Sequence, residues 1–309
     1  GYFTVRSPEG FNDGAWHHAE VIARALGVSA DAVDEAFRAM LRARLAPYDR
    51  DYVVDRARYR DREAMVRAAD ERTGDAGVQA DAAMALLLGG DGPGAARRAE
   101  AAIRLEGAQP LARWVRATLA IEARDGRAAL SELDALREGG RDGYAVRMLE
   151  ARAARLARDD GRALSALTEA TRRDPTQVDA WRALAALHGR AHREAERVAA
   201  LRVVVRLDQH DREGLSELLA ALLESRSWAE IRALAEHAVS LDPERLSVHL
   251  ALGQAAQETG DRESAIAAYE SALALDPPNA AEVRARIEAV RRGERGLPLL
   301  RAPAAPRAG

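Results

Sequence analysis

Cysteine is absent from the 309 residues, and so is lysine. Without cysteine there is no disulfide, thiolate nucleophile or cysteine metal site, an absence that suits an oxidising compartment as well as a reducing one. Without lysine there is no Schiff-base amine, no P-loop lysine and no lysine anion clamp, and every basic residue besides the seven histidines is arginine. Aromatics make up only 4% against 48% apolar residues, mostly alanine and leucine. That bias favours closely packed helices over broad sheets and predicts an all-α protein. No block of one charge sign stands out: the net charge is -3 with acids and bases interspersed, which excludes the concentrated basic field of a nucleic-acid partner. Long apolar runs are also missing, since none approaches the roughly 20 residues of a membrane span. The opening residues GYFTVRSPEG carry neither an initiating Met nor a signal pattern, so the expectation is a chain that begins inside a longer protein. Cytoplasm and periplasm both stay open.

What the chain does contain is a period. Asp174, Asp208, Asp242 and Asp276 stand 34 residues apart, three of them followed by Pro, and Leu207, Leu241 and Leu275 precede the last three. Setting that Asp at position 31 places unit starts at Ala76, Pro110, Tyr144, Val178, Arg212 and Leu246. Small or apolar residues then recur at position 8 (Ala83, Ala117, Ala151, Ala185, Leu219, Gly253). They recur again at position 20 (Ala95, Ala129, Ala163, Arg197, Ile231, Ala265, with Arg197 the departure) and at position 27 (Ala102, Leu136, Ala170, Val204, Ala238, Ala272). Two helices of a hairpin approach closely at such places. Gly-Asp or Arg-Asp pairs at 90–91, 124–125, 158–159 and 260–261 mark a turn inside each hairpin, and Asp-Pro ends the second helix because Pro disfavours helical geometry in the residue before it.

A 34-residue step is the tetratricopeptide length. The unit LSVHLALGQAAQETGDRESAIAAYESALALDPPN resembles that consensus through Leu252-Gly253, Gly260-Asp261, Ala265, Tyr269, Ala272 and Pro277, and the unit from Val178 adds Trp181 and Leu184. The resemblance implies an α-solenoid of about six tetratricopeptide-like hairpins over 76–279. AAEVRARIEAVRRGERG at 280–296 reads as a capping helix with Val283, Ile287 and Val290 on one face. The remainder, 297–309, is rich in Pro and Ala without a period and is expected to be disordered.

Residues 1–75 do not follow the repeat. Two helices are predicted at 13–27 and 30–45, with Ser29 available as N-cap, and a third around 63–72. Tyr48, Tyr52 and Tyr59 are expected to pack the junction with the first repeat. AFRAMLRARL followed by YDRDY resembles the tail of gluzincin-type metallopeptidase domains that some bacterial proteins carry directly before tetratricopeptide repeats. Those peptidases use a His-Glu-x-x-His helix on zinc, a pentapeptide this chain lacks, so no catalytic residue is carried over.

No other constellation calls for chemistry. His17 and His18 are adjacent and point about 100° apart on a helix, and His188 and His192 have metal-competent spacing without a third ligand near in sequence. GGDGPG at 89–94 lacks the Lys and Ser or Thr of a phosphate loop, and no GxSxG elbow occurs. Neither a cofactor nor a metal is expected.

In this fold the first helix of each unit turns positions 2, 5, 9 and 12 to a concave face, by analogy with the family. Those positions supply Met84, Leu87, Leu111, Trp114, Thr118 and Ile121, then Met148, Arg152, Arg155 and Arg182, then Leu250, Gln254 and Gln257. The candidate partner-binding set is Trp114, Thr118, Met148, Arg152, Arg155, Arg182 and Gln254: an apolar stretch leading into arginines that pair bidentately with carboxylates. The sequence therefore predicts a non-enzymatic bacterial scaffold holding a protein or peptide. The rival is the non-catalytic C-terminal part of a zinc metallopeptidase whose active site lies upstream. Self-association through the repeat ends is a third expectation.

Overall fold

The structure, a computed structural model, describes residues 27, 29–45 and 54–302. Among them are fifteen α-helices and no strand. The predicted helix at 13–27, His17 and His18, and Tyr48 and Tyr52 lie outside the described residues or at their edge.

Helix α1 spans Ala30–Leu45, and Ser29 caps it, accepting from the Ala32 amide at 3.1 Å. A 3-10 turn at Arg56–Tyr59 leads to α2, Arg62–Glu71. Six helical pairs follow: α3 Ala76–Leu88 with α4 Gly92–Leu105; α5 Pro110–Glu122 with α6 Gly126–Glu138; α7 Tyr144–Leu156 with α8 Asp160–Arg173; α9 Val178–Arg190 with α10 Glu194–Leu207; α11 Arg212–Glu224 with α12 Trp228–Leu241; and α13 Leu246–Thr259 with α14 Arg262–Ala274. Helix α15, Ala280–Arg292, comes last. The chain divides into two compact units, Gly1–Leu119 with Ser131–Val146, and Ala120–Leu130 with Arg147–Gly309.

Each hairpin turn is written in two residues. At position 15 the backbone is left-handed in all six pairs: Gly90, Arg124, Arg158, His192, Arg226 and Gly260 have φ between 53° and 88°. At position 16, Asp91, Asp125, Asp159 and Asp261 cap the second helix by accepting from an amide three residues on, at 2.8 to 3.1 Å. These bonds satisfy donors that a helix start leaves unpaired. Arg193 and Ser227 stand there in the fourth and fifth pairs, and neither side chain makes a cap bond.

The cores are built from the small recurring residues. Ala83, Ala117, Ala95, Ala129, Ala163, Ala265, Ala102, Ala170 and Ala272 are all fully buried, so helix backbones meet at alanine-sized distances. Arg197 breaks the pattern at position 20, and its stem lies where a side chain on Gly189 would be: a Cβ there would sit 3.2 Å from Arg197 Cδ. In the first unit Tyr59 joins Met84, Ala99 and Val115 in the core while its hydroxyl donates to Asp81 Oδ1 at 3.2 Å. Desolvation, with the Asp81 carboxylate second, pushes its pKa up to about 12. In the second unit each helix from α8 to α15 packs on the next, and α11 also touches α13.

Val283, Ile287 and Val290 of α15 bury against Leu250, Ala265 and Tyr269. The expectation of disorder beyond residue 296 needs correcting as far as Ala302. Leu300 is buried in that same cluster with Ala302 packed against it, because α13 offers a hydrogen-bonding side chain, Gln254, to its main chain. Residues 303–309 lie outside the described residues.

Candidate functional site

In the second unit, the end of α5, the two turns after α5 and α7, and the last turns of α7 and α9 enclose a cleft of about 730 Å³. Its walls carry Arg124, Arg152, Arg155, Arg158 and Arg190 against only two carboxylates, Glu122 and Asp160, with Ile121 and Leu156 as apolar lining. Arg152 and Arg155 project from one side of α7 because three residues bring a helix almost once around. Arg124 and Arg158 occupy the same repeat position, one hairpin apart.

Several arginines among the described residues are neutralised where they stand, two to a carboxylate. Arg113 and Arg116 share Glu132, Arg147 and Arg162 share Glu150, and Arg172 and Arg173 share Glu169. The last pair holds the Glu169 carboxyl down at about 2, Arg172 being the larger influence. In the cleft, by contrast, only Arg190 has an ion pair among the described residues, a long one of 3.8 Å to Asp160. Arg124, Arg152, Arg155 and Arg158 are exposed and have no carboxylate within 4.0 Å among the described residues. Uncompensated positive charge gathered over an apolar lining attracts a carboxylate-bearing ligand and suits bidentate pairing.

Two of those arginines occupy a costly backbone conformation. Arg124 and Arg158 both have φ of +60°, whereas the first and sixth pairs use glycine at the equivalent place. A left-handed residue with a Cβ costs roughly 1–2 kcal/mol. We expect Arg158→Gly to raise stability by about 0.5–1 kcal/mol once the extra freedom of glycine in the unfolded chain is subtracted. The urea midpoint reads this directly. The same substitution should weaken binding of an acidic peptide, which separates a residue kept for its charge from a neutral turn residue.

Of the candidate partner-binding set, only Arg152 and Arg155 line this cleft, joined by Ile121 from the wider concave positions. Met148, on the same helix, is half-buried. Arg182 is withdrawn from the set of open charges because it is paired with Asp211, the residue just before α11. Ile121 is buried, as are Met84 and Leu250. Trp114 and Thr118 belong to the first unit, where Trp114 packs on the core and Thr118 bonds back to the Trp114 carbonyl at 3.0 Å. Gln254 is not an open contact residue: it is buried, and its amide is engaged by the Leu300 main chain. Arg124 and Arg158 fall outside the four first-helix positions because they stand in the turn, and Arg190 because it ends its helix one position beyond them. For Arg124 and Arg158 the sequence signal is an arginine at a position where two repeats carry glycine.

His188 and His192 are joined by no third ligand, and no group of three His, Asp or Glu suited to a metal occurs among the described residues. No helix among them is long and apolar enough to cross a membrane.

A family model described as tetratricopeptide repeat matches residues 246–279, the hairpin of α13 and α14 with the turn after it. That hairpin is a tetratricopeptide repeat. Among solved structures, the C-terminal part of a tetratricopeptide repeat-containing protein from Cytophaga hutchinsonii aligns with a TM-score of 0.51 at 15% identity, covering 68% of this chain and 84% of that one. At that identity the likeness speaks for the fold alone. YrrB, described as a tetratricopeptide protein with an unusual peptide-binding site, aligns at TM-score 0.35 and 15% identity over 73% of this chain and 98% of its own. MamA aligns at 0.47 and 17% over 58% and 98%. No curated protein matches the sequence. The arginine cleft sits between consecutive tetratricopeptide-like hairpins, lined by the ends of first helices and the turns that follow them.

Proposed function

We propose that this chain is a non-enzymatic interaction scaffold and that the arginine cleft of its second unit takes an acidic segment of a partner protein. The observation that carries this reading is the five-arginine wall over Ile121 and Leu156, four of whose cations have no carboxylate partner among the described residues. Tetratricopeptide and related repeats build binding surfaces from successive hairpins, which is the arrangement of this cleft. Arginine suits the task because its guanidinium stays charged, forks onto carboxylates and sheds water more easily than an ammonium. The preferred ligand is a segment with two or more Asp or Glu and an apolar side chain between them to meet Ile121 and Leu156.

The test uses a fluorescent peptide alternating Glu and Leu against the full chain. Binding should weaken as salt rises, and the double substitution Arg152→Glu with Arg155→Glu should lower affinity about ten-fold or more, since it replaces two attractions with two repulsions. Both positions are exposed, so the helical signal should be unchanged. Equal binding by the variant would remove the cleft as the site.

A further inference from the structure

One face of the sixth hairpin is covered by the protein's own C-terminal segment. After α15 the chain reverses at Gly293 (φ +81°) and runs back, without regular secondary structure, along the buried face of α13. Between its start at Glu294 and Gly296 and its end at Leu300, the tail's partners on α13 move from Gln257 and Glu258 back to Gln254, about one turn. Gln257 Nε2 donates to the Glu294 carbonyl at 2.8 Å, Glu258 Oε1 accepts from the Gly296 amide at 2.7 Å, and Gln254 takes Leu300. Tail and helix are therefore antiparallel.

Gln254 does what a neighbouring strand would do. Its Oε1 accepts from the Leu300 amide at 2.7 Å and its Nε2 donates to the Leu300 carbonyl at 2.9 Å, so one side-chain amide reads both main-chain groups of one residue. Arg286 and Asn279 add donors to the carbonyls of Pro298 and Arg301. All five of these groups bond main-chain atoms, which every peptide has. Selectivity rests on one pocket, where the Leu300 side chain is 5% exposed among Leu250, Tyr269, Val283 and Ile287. Pro298 and Arg301 stay exposed, the latter on a surface ion pair with Glu224. Main-chain capture with one apolar pocket is the logic of a peptide site.

We propose that the face of the sixth hairpin covered by the tail is a peptide site for an unstructured, leucine-anchored segment, and that residues 294–302 are a displaceable strap that fills it. The strap holds on through a single buried side chain, and its advantage over a competitor is tethering, which keeps it at a high effective concentration. A segment carrying leucine at the matching place, such as the tail of a second copy, makes the same bonds. This inference is independent of the arginine cleft.

The probe is a fluorescent peptide of residues 294–304 titrated against three full-length proteins. Leu300→Asp, which puts a charge into the apolar pocket and releases the strap, should bind the peptide about ten-fold or more tighter than the wild-type chain. Adding Gln254→Leu to Leu300→Asp should abolish that binding. No binding to Leu300→Asp, equal binding to wild type, or indifference to Gln254→Leu would each overturn the proposal. Should Leu300→Asp lose its helical signal, hydrogen exchange on the wild-type chain decides. Excess peptide must speed exchange at the chain's own Leu300 amide, and unchanged protection would contradict a displaceable strap. Loss of acidic-peptide binding in the arginine-cleft variant would leave these results untouched, so the two readings fail separately.

Discussion

Tyr269→Ala is expected to cost about 3–5 kcal/mol, the range for removing a buried aromatic ring. Tyr269 is fully buried on α14 and fills the space left by Gly253 across the hairpin; a Cβ on Gly253 would sit 2.6 Å from its ring. Its hydroxyl donates to Gln257 Oε1 at 3.1 Å, and Gln257 in turn holds the Glu294 carbonyl. Burial pushes the phenol pKa well above its ordinary value, in keeping with a neutral donor. Tyr269→Phe should cost only about 1 kcal/mol, the share of one hydrogen bond and its stranded acceptor. Because repeats couple to neighbours, the loss should appear first in exchange protection of α13, α14 and α15 and leave the first unit nearly unchanged. A cost below 1 kcal/mol, or uniform loss across both units, would contradict this packing.

Glu150→Ala is the second large effect, at about 3 kcal/mol. Glu150 is 3% exposed on α7, where it accepts from Arg147 Nη1 at 3.1 Å and from Arg162 Nε, on α8, at 3.0 Å. Removing the carboxylate takes away a buried negative charge that offsets the desolvation of two half-buried guanidiniums. Glu150→Met with Arg162→Met takes two of the three charges out of the interior and so removes their share of the penalty, which should recover part of the stability. Denaturant midpoints of the single and double variants decide the matter. If the double variant is the less stable of the two, the desolvation argument fails.

The hairpins were legible because their determinants are local and repeat. An Asp every 34 residues ends second helices, Asp at position 16 starts them, and alanines at positions 8, 20 and 27 set the helix spacing. The apolar face of α15 was legible for the same reason, as a three-to-four-residue rhythm of Val283, Ile287 and Val290. What the sequence concealed depends on partners far along the chain. Arg182 reads as an open charge until Asp211, 29 residues later, is seen against it. Gln254 reads as a groove residue until Leu300, 46 residues later, closes on it. The Pro- and Ala-rich tail has no period because a strap held through its main chain needs none. The turn arginines were overlooked because a face drawn from helix positions omits residues whose direction is set by a left-handed backbone.

The most direct test of the central claim is photo-crosslinking of an acidic peptide, with a photoreactive group beside its glutamates, to the full chain, followed by mapping of the modified residues. Capture by the arginine cleft predicts adducts at 121–124, 152–158 and 190, suppressed by the double charge reversal at Arg152 and Arg155. Adducts concentrated elsewhere, or the same adducts on the charge-reversed protein, would contradict it.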